Sequence, residues 1–270
     1  MITLPPIGLN RRKLDVRPTF LSSNFTLLGS GNASMSITKP AGVVSGDILI
    51  FFLFHQSTPP NVNSTDGFTS DADGIISVQT SIHRLVCHHK IAGGSEPASY
   101  NWNFNQGSNN KLGVVLAYRP AHATQLDGAA MGPTLLSSLS ATHQQLSRTT
   151  GFTNSTLVYA WMFNRNNANP LGGISVNPAG MTQRLFENFS SVGIDDLGMA
   201  VYDQQIPAAG SVGTRTLTTS NNDIDGLLME QYLVPKLGFK KAAYLAVNND
   251  WGRSMVKAVS EIMKKTAGEV

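Results

Sequence analysis

Tyr100-Asn101-Trp102-Asn103-Phe104-Asn105 sets aromatic and amide side chains at alternate positions. Successive side chains of an extended chain point to opposite faces, so this stretch carries one aromatic face and one amide face. A helix would scatter the three rings around its circumference, so the pattern is that of a half-buried strand. We place Tyr100, Trp102 and Phe104 in a core, the usual position of an aromatic stripe on a strand. Asn101, Asn103 and Asn105 then form an outward amide ladder able to hydrogen-bond a glycan or a partner strand. The competing reading makes the three rings a sugar-stacking platform.

The same extended character runs outward from this segment. Residues 48–54 and 157–163 are continuous apolar runs between turn residues, which suits strands buried on both faces. Further strands are expected over 34–38, 75–88, 112–118, 182–189, 197–203, 214–219 and 227–234. Turn chemistry separates them: Pro59-Pro60, Asp73-Gly74, Gly93-Gly94, Asn169-Pro170, Gly172-Gly173, Ala209-Gly210 and Asn221-Asn222. No helical period precedes about residue 250. Many short, evenly spaced strands predict an all-β protein, an antiparallel β-sandwich of jelly-roll-like kind.

A weak internal repeat organises the strands. Residues 45–55 line up with 153–164, Gly67-Phe68-Thr69 with Gly180-Met181-Thr182, and 113–120 with 226–235, Tyr118 matching Tyr232. The offsets all lie near 110 residues. We therefore expect a domain over 25–235 with two similar halves, about 25–135 and 136–235, each supplying four or five strands and one part of a single sandwich. Two separate small domains are the alternative.

Composition narrows the function classes. Only 14% of the 270 residues are charged, against about 25% in an average soluble protein, and Asn, Ser, Thr and Gly take their place. The net charge of +3 is uneven: residues 236–270 hold seven basic and three acidic side chains, while the rest sums to −1. A body without excess positive charge is not built to hold nucleic acid, and we expect no specific nucleic-acid partner. The single cysteine, Cys87, precludes an internal disulfide. The longest apolar run falls far short of the roughly 20 residues of a membrane-spanning helix, and no signal peptide or membrane association is expected. Five Asn-x-Ser/Thr sequons (Asn24, Asn32, Asn63, Asn154 and Asn188) follow from the composition.

Both ends differ from the middle. Residues 1–24, with Pro5, Pro6, Pro18 and the basic patch Arg11-Arg12-Lys13, show no apolar period and read as an extended arm that docks on a neighbouring subunit. Residues 236–270 read as a β-loop-α appendage, a strand-like 242–247 followed by an amphipathic helix carrying Met255, Val256, Val259, Ile262 and Met263.

Reactive-looking clusters are few. In Cys87-His88-His89 the two histidines point to opposite faces of a strand and do not share a metal, so the segment reads as a strand with one buried thiol. Asp71-Ala72-Asp73-Gly74 has the opening of a calcium loop without its distal glutamate, and reads as an Asx-type turn. Asp195-Asp196 and Asp223/Asp225 sit in turn-like contexts, where acid–base work would need burial. No Gly-x-Ser-x-Gly elbow, phosphate-binding loop or His-Glu-x-x-His is present. We assign no catalytic, cofactor or metal residue and expect no enzyme activity.

The order of parts over about 30–235 resembles a β-sandwich family of tailed-phage virion proteins. Lys39-Pro40-Ala41-Gly42-Val43-Val44-Ser45-Gly46-Asp47-Ile48 comes first, then Gly67-Phe68-Thr69 and His89-Lys90-Ile91-Ala92-Gly93-Gly94-Ser95-Glu96-Pro97. The aromatic strand, 113–119, Gly180-Met181-Thr182 and Pro207-Ala208-Ala209-Gly210 follow. The resemblance implies a capsid decoration, tail or fibre-associated protein. Its partners would be other virion subunits, it would form a homo-oligomer such as a trimer, and it would reside in the virion and, during assembly, in the host cytoplasm. A carbohydrate-binding adhesin or receptor-binding module is the alternative, with a host-surface glycan as partner. Residues 237–254 resemble one β-α step of a branched-chain amino-acid periplasmic binding protein, with Gly268-Glu269-Val270 where the next strand would begin. A ligand cleft needs two complete lobes, so a solute-binding fragment is the weaker alternative.

Overall fold

The computed structural model describes residues 15–29, 31–56, 62–78, 81–104, 110–119, 131–145, 147–165, 173–191, 194–220, 224–233 and 236–237. The chain divides into two compact units, Arg17–Lys236 and a smaller one made of Met1–Val16 with Leu237–Val270. The larger unit is the subject below. Arg11, Arg12 and Lys13, and the appendage beyond residue 237, lie outside the described residues.

The larger unit is all-β and antiparallel, with no helix among its described residues, and none there is long and apolar enough to cross a membrane. Its first half contains β1 (Thr19–Leu28), β2 (Ser34–Thr38), β3 (Ile48–Gln56), β4 (Val62–Ser64), β5 (Thr69–Val78), β6 (Ser81–Ile91), β7 (Ser99–Phe104) and β8 (Lys111–Arg119). The second half contains β9 (Met131–Ser140), β10 (Thr142–Gln145), β11 (Thr149–Thr150), β12 (Ser155–Arg165), β13 (Ile174–Val176), β14 (Thr182–Ser191), β15 (Ile194–Ile206), β16 (Gly210–Ser211), β17 (Arg215–Thr219) and β18 (Ile224–Leu233).

Each half builds a five-stranded and a three-stranded sheet. The first half orders them β1-β8-β3-β6-β5 and β2-β7-β4, the second β9-β18-β12-β15-β14 and β10-β17-β13. The two orders match strand for strand once the short pair β11–β16 is set aside. The 110-residue repeat in the sequence is thus a repeat of topology. Each half supplies two layers, where the sequence reading gave it one. The reason is strand count: eight strands per half suffice to cover both faces of a central sheet, and the sequence reading found only four or five.

Three apolar clusters fix how the sheets stack. Alternate residues of β3 and β12 face opposite ways, as two-sided burial requires. Leu49, Phe51 and Leu53 pack with Ile37, Tyr100 and Trp102 of the first three-stranded sheet. Leu157, Tyr159, Trp161 and Phe163 pack with Leu217 on the equivalent side of the second half. The other faces, Ile50, Phe52 and Phe54 from β3 and Val158, Ala160 and Met162 from β12, meet in one cluster shared by the two five-stranded sheets. The Pro18 carbonyl, just before β1, ties the halves further by accepting from Thr156 Oγ1 at 2.7 Å and Gln205 Nε2 at 2.8 Å.

Turn geometry repeats with the topology. Gly67 and Gly180, the matched glycines, both take positive φ (77° and 74°). Gly46 (φ 89°) is matched by Asn154 (φ 57°), the non-glycine residue type that best tolerates this region. Asn154 adds a partner that a glycine lacks, its Oδ1 accepting from Arg17 Nε at 2.9 Å.

Several sequence expectations change. Strand β1 begins at Thr19 and pairs with β8 from Arg119 to Lys111, so 19–24 belong to a sheet and not to the arm. The expected strand over 75–88 is two strands, β5 and β6, joined where Val78 pairs with Ser81. Asp73-Gly74, read as a turn, lies inside β5. Register decides this: the carboxylates of β5 find partners on the neighbouring strand, Asp73 the Arg84 guanidinium and Asp71 the His89 ring, which lowers the cost of holding them in a ladder. Asp196 likewise lies in β15 opposite Arg165, and Asp225 in β18 opposite Asn164. Asp223 lies outside the described residues.

Candidate interaction face

Strand β7 is the centre of the first outer sheet. Tyr100 and Trp102 are fully buried, Phe104 nearly so, while Asn101 and Asn103 are exposed. Trp102 stacks on Phe51 with ring centroids 3.8 Å apart, and Phe68 approaches both Tyr100 (5.2 Å) and Trp102 (5.1 Å). The aromatic stripe is therefore core, and no ring of β7 is available to stack on a sugar. Asn105 lies outside the described residues.

Register sets what surrounds the two amides. Ser34 of β2 and Asn63 of β4 flank Asn103, and Ser36 flanks Asn101. Of the five side chains of these rows that face solvent, Ser34, Ser36, Asn63 and Asn103 make no hydrogen bond within the described chain. The Asp66 carboxylate accepts from the Asn101 backbone N–H and lies 3.5 Å from its Nδ2. The face is a lattice of single hydroxyl and amide groups about 4.8 Å apart across strands and about 6.8 Å apart along them, on a rigid aromatic floor.

The rim of this face is braced by Lys90. Its Nζ donates to the Asp66 carbonyl (2.7 Å) and to Glu96 Oε2 (2.9 Å), and lies 5.5 Å from the Tyr100 ring centroid. Burial pushes the Glu96 carboxyl up, but the hydrogen bonds from Lys90 and from the Gly93 N–H outweigh it and hold the group below the ordinary glutamate range. Burial and the neighbouring Glu96 push the Tyr100 phenol up.

The other ionisable groups act as braces too. Asp47, 1% exposed, receives both Nε and Nη2 of Arg119 at 2.6 Å and also the Val44 N–H at 2.8 Å. It thereby closes the turn that carries Gly42 and Gly46 against the end of β8. Asp73 pairs with Arg84, and Arg184 with Asp203 at 2.8 Å. Sequence reasoning missed these partners because each joins residues from different strands; no local signal couples Asp47 to Arg119.

The Cys87-His88-His89 segment behaves as strand alternation requires. Cys87 is fully buried in the cluster between the five-stranded sheets, where burial, then Asp71, pushes its thiol well above the ordinary range. His89 Nδ1 sits 2.7 Å from Asp71 Oδ1 on that same side. His88 points the other way, beside Phe51 (5.8 Å between ring centroids). Burial pushes it down to about 4; Asp73 and Asp71 oppose this, and Arg84 and His89 add to it. Asp71 and Asp73 are thus committed to His89 and Arg84 within β5, and form neither a calcium loop nor an Asx turn. Among the described residues no three His, Cys, Asp or Glu side chains come close enough to hold a metal ion.

The second outer sheet offers a different surface. Gln144 Nε2 reaches Thr216 Oγ1 at 3.4 Å, and Ser175 Oγ contacts the Thr218 and Thr219 carbonyls, both at 3.1 Å.

No protein-family model, curated protein or solved structure matches the chain.

Proposed function

We propose that this chain is a non-enzymatic structural component of a tailed-phage virion, a capsid decoration, tail or fibre-associated protein that acts through protein–protein contacts. The observation that carries the reading is the strand order. In each half β1-β8-β3-β6 faces β2-β7-β4, or the equivalent strands, which is the order of an eight-strand jelly roll whose fifth strand, β5, has moved from beside β4 to the edge of the larger sheet. We read each half as one jelly-roll-like β-sandwich and the larger unit as two of them back to back. Jelly rolls recur in virus shells and in lectins, so the fold supports this reading by analogy only. The order of motifs along the chain, from Lys39 to Gly210, points the same way. The buried carboxylates and bases described above hold strands together, which suits a load-bearing part more than a reaction centre.

The arm, with Arg11, Arg12 and Lys13, would dock on a neighbouring subunit, and a closed homo-oligomer such as a trimer would present several copies at once. The test is co-sedimentation of the purified protein with phage particles that lack it. Saturable binding at a fixed stoichiometry, weakened when 1–14 is removed, is the expected result. Absence of binding at micromolar concentration would overturn the reading.

A further inference from the structure

Strand β5 is the edge of its sheet and pairs with β6 alone, along a ladder interrupted by a bulge at Asp71. Two side-chain pairs cross this ladder, Asp73 with Arg84 and Asp71 with His89. Between Arg84 and His89 on β6 stands His88, 3% exposed, and neither of its ring nitrogens has a hydrogen-bond partner among the described residues. A neutral imidazole tolerates this position at the cost of unmade bonds. A protonated one carries two N–H donors and a charge, and in a buried place it needs an acceptor. The carboxylates that act on the ring, Asp73 first and then Asp71, both belong to β5 and are both already engaged, with Arg84 and His89.

We propose that β5 is an acid-released strand: a proton taken up by His88 draws Asp73 away from Arg84 and frees β5 from the edge of the sheet. Release leaves the β6 edge open to a second chain and uncovers Cys87, which Ala72 of β5 flanks in the closed sheet. The other charged or titratable groups around the ring give it no alternative acceptor. Arg84 and His89 of β6 oppose its protonation. Lys90, on the same side of β6, is a donor itself and is held by Glu96 and the Asp66 carbonyl. From the neighbouring elements come the Tyr100 phenol of β7 and, at the far end of β3, His55. Strand β9 of the second half, which lies against β5, has no ionisable residue. Burial keeps the ring neutral in the closed strand down to about pH 4, while a released ring titrates near 6.5. Opening between those values takes up one proton, so the open population rises about tenfold for each pH unit lost. The inference goes beyond the structural role and does not rest on it.

The experiment uses the full chain. Amide exchange over 69–78 and over 111–119 of β8, corrected for intrinsic rates, is followed as pH is lowered. Labelling of Cys87, the single thiol, by a dipyridyl disulfide is measured beside it, relative to the urea-unfolded chain at each pH. From about pH 6 to about pH 5, opening of 69–78 is expected to rise about tenfold and Cys87 labelling to rise in step, while 111–119 stays protected. Return to neutral pH restores both. His88→Phe and His88→Gln, which remove the titrating group with and without an apolar ring, are expected to flatten the rise. Loss of protection over 69–78 and 111–119 together would overturn the proposal, because it would be unfolding of the whole unit. So would a flat profile in the native chain, a rise that persists in both variants, or opening of 69–78 without labelling of Cys87. Co-sedimentation with particles reads the structural role separately, so the two proposals fail independently.

Discussion

Gly113 on β8 shows how tightly single residues are specified. A Cβ there would overlap the Met35 sulfur and come within 3.1 Å of Phe51 Cε2 and 3.2 Å of Ile37 Cδ1. Met35 and Phe51 are fully buried, so the neighbours have nowhere to retreat. Gly113→Ala is therefore expected to cost about 1–3 kcal/mol by overpacking, read as a Tm drop of about 2–4 °C for each kcal/mol. His88 makes a prediction about pH. Its folded pKa, about 4, lies below the model-peptide value of 6.5, so the unfolded chain binds more protons between those values. The stability that neutral His88 contributes is complete above about pH 6.5 and is lost as pH falls through about 4, on the order of 3 kcal/mol in all. Urea midpoints measured from pH 7 to pH 4 should fall more steeply for the native chain than for His88→Phe. Equal slopes would show that the imidazole is not the group responsible. Asp71 and Asp73 on β5 and Arg84 and His89 on β6 are the charged or titratable groups that act on this ring, and all are retained in the comparison.

At the scale of elements, β1 protects an exposed edge. β2 is an outer strand of its sheet, and its free carbonyls would otherwise invite pairing with another chain. Ser22 Oγ donates to the Ala41 carbonyl (2.7 Å), Asn24 Nδ2 to the Thr38 and Lys39 carbonyls (3.1 and 3.0 Å), and Thr26 Oγ1 to the Ser36 carbonyl (2.7 Å). Every second residue of β1 thus covers part of the neighbouring layer's rim. The triple replacement of Ser22, Asn24 and Thr26 by Ala is expected to cost about 1 kcal/mol for each well-formed bond, less where water takes over. It should also raise light scattering at neutral pH, because the β2 edge becomes available to a second molecule. Unchanged scattering would mean that the edge is covered by something else. This device was only half legible in the sequence. The polar alternation at 22, 24 and 26 is visible, but 22 and 24 were assigned to an arm ending at residue 24, since no local pattern says that hydroxyls and an amide will serve as a strand's missing neighbour.

At the scale of the whole molecule, the shared apolar cluster couples the halves. Phe52, Phe54, Val114 and Leu116 from one half and Val158, Met162 and Val201 from the other are all fully buried in it. Separating the halves would expose this surface on both sides, at about 25 cal/mol for each Å² of apolar area. We therefore expect one cooperative unfolding transition for the larger unit. Urea unfolding followed by the fluorescence of a chain lacking Trp161 should coincide with that of a chain lacking Trp102, each variant compared with its own circular dichroism. Two separated transitions would show that the halves are independent domains. The sequence by itself determined that the larger unit is all-β, that β3 and β12 are buried on both sides, that Tyr100, Trp102 and Phe104 face inward, and that the strands come in two matched sets. Those facts follow from side-chain period and spacing, which are local. Only the tertiary structure decided that each set closes on itself in two sheets, that β5 joins the larger one, and that Asp47 meets Arg119 from 72 residues away. Period reveals which face of a strand is buried; the identity of its neighbour depends on how all the strands share one core.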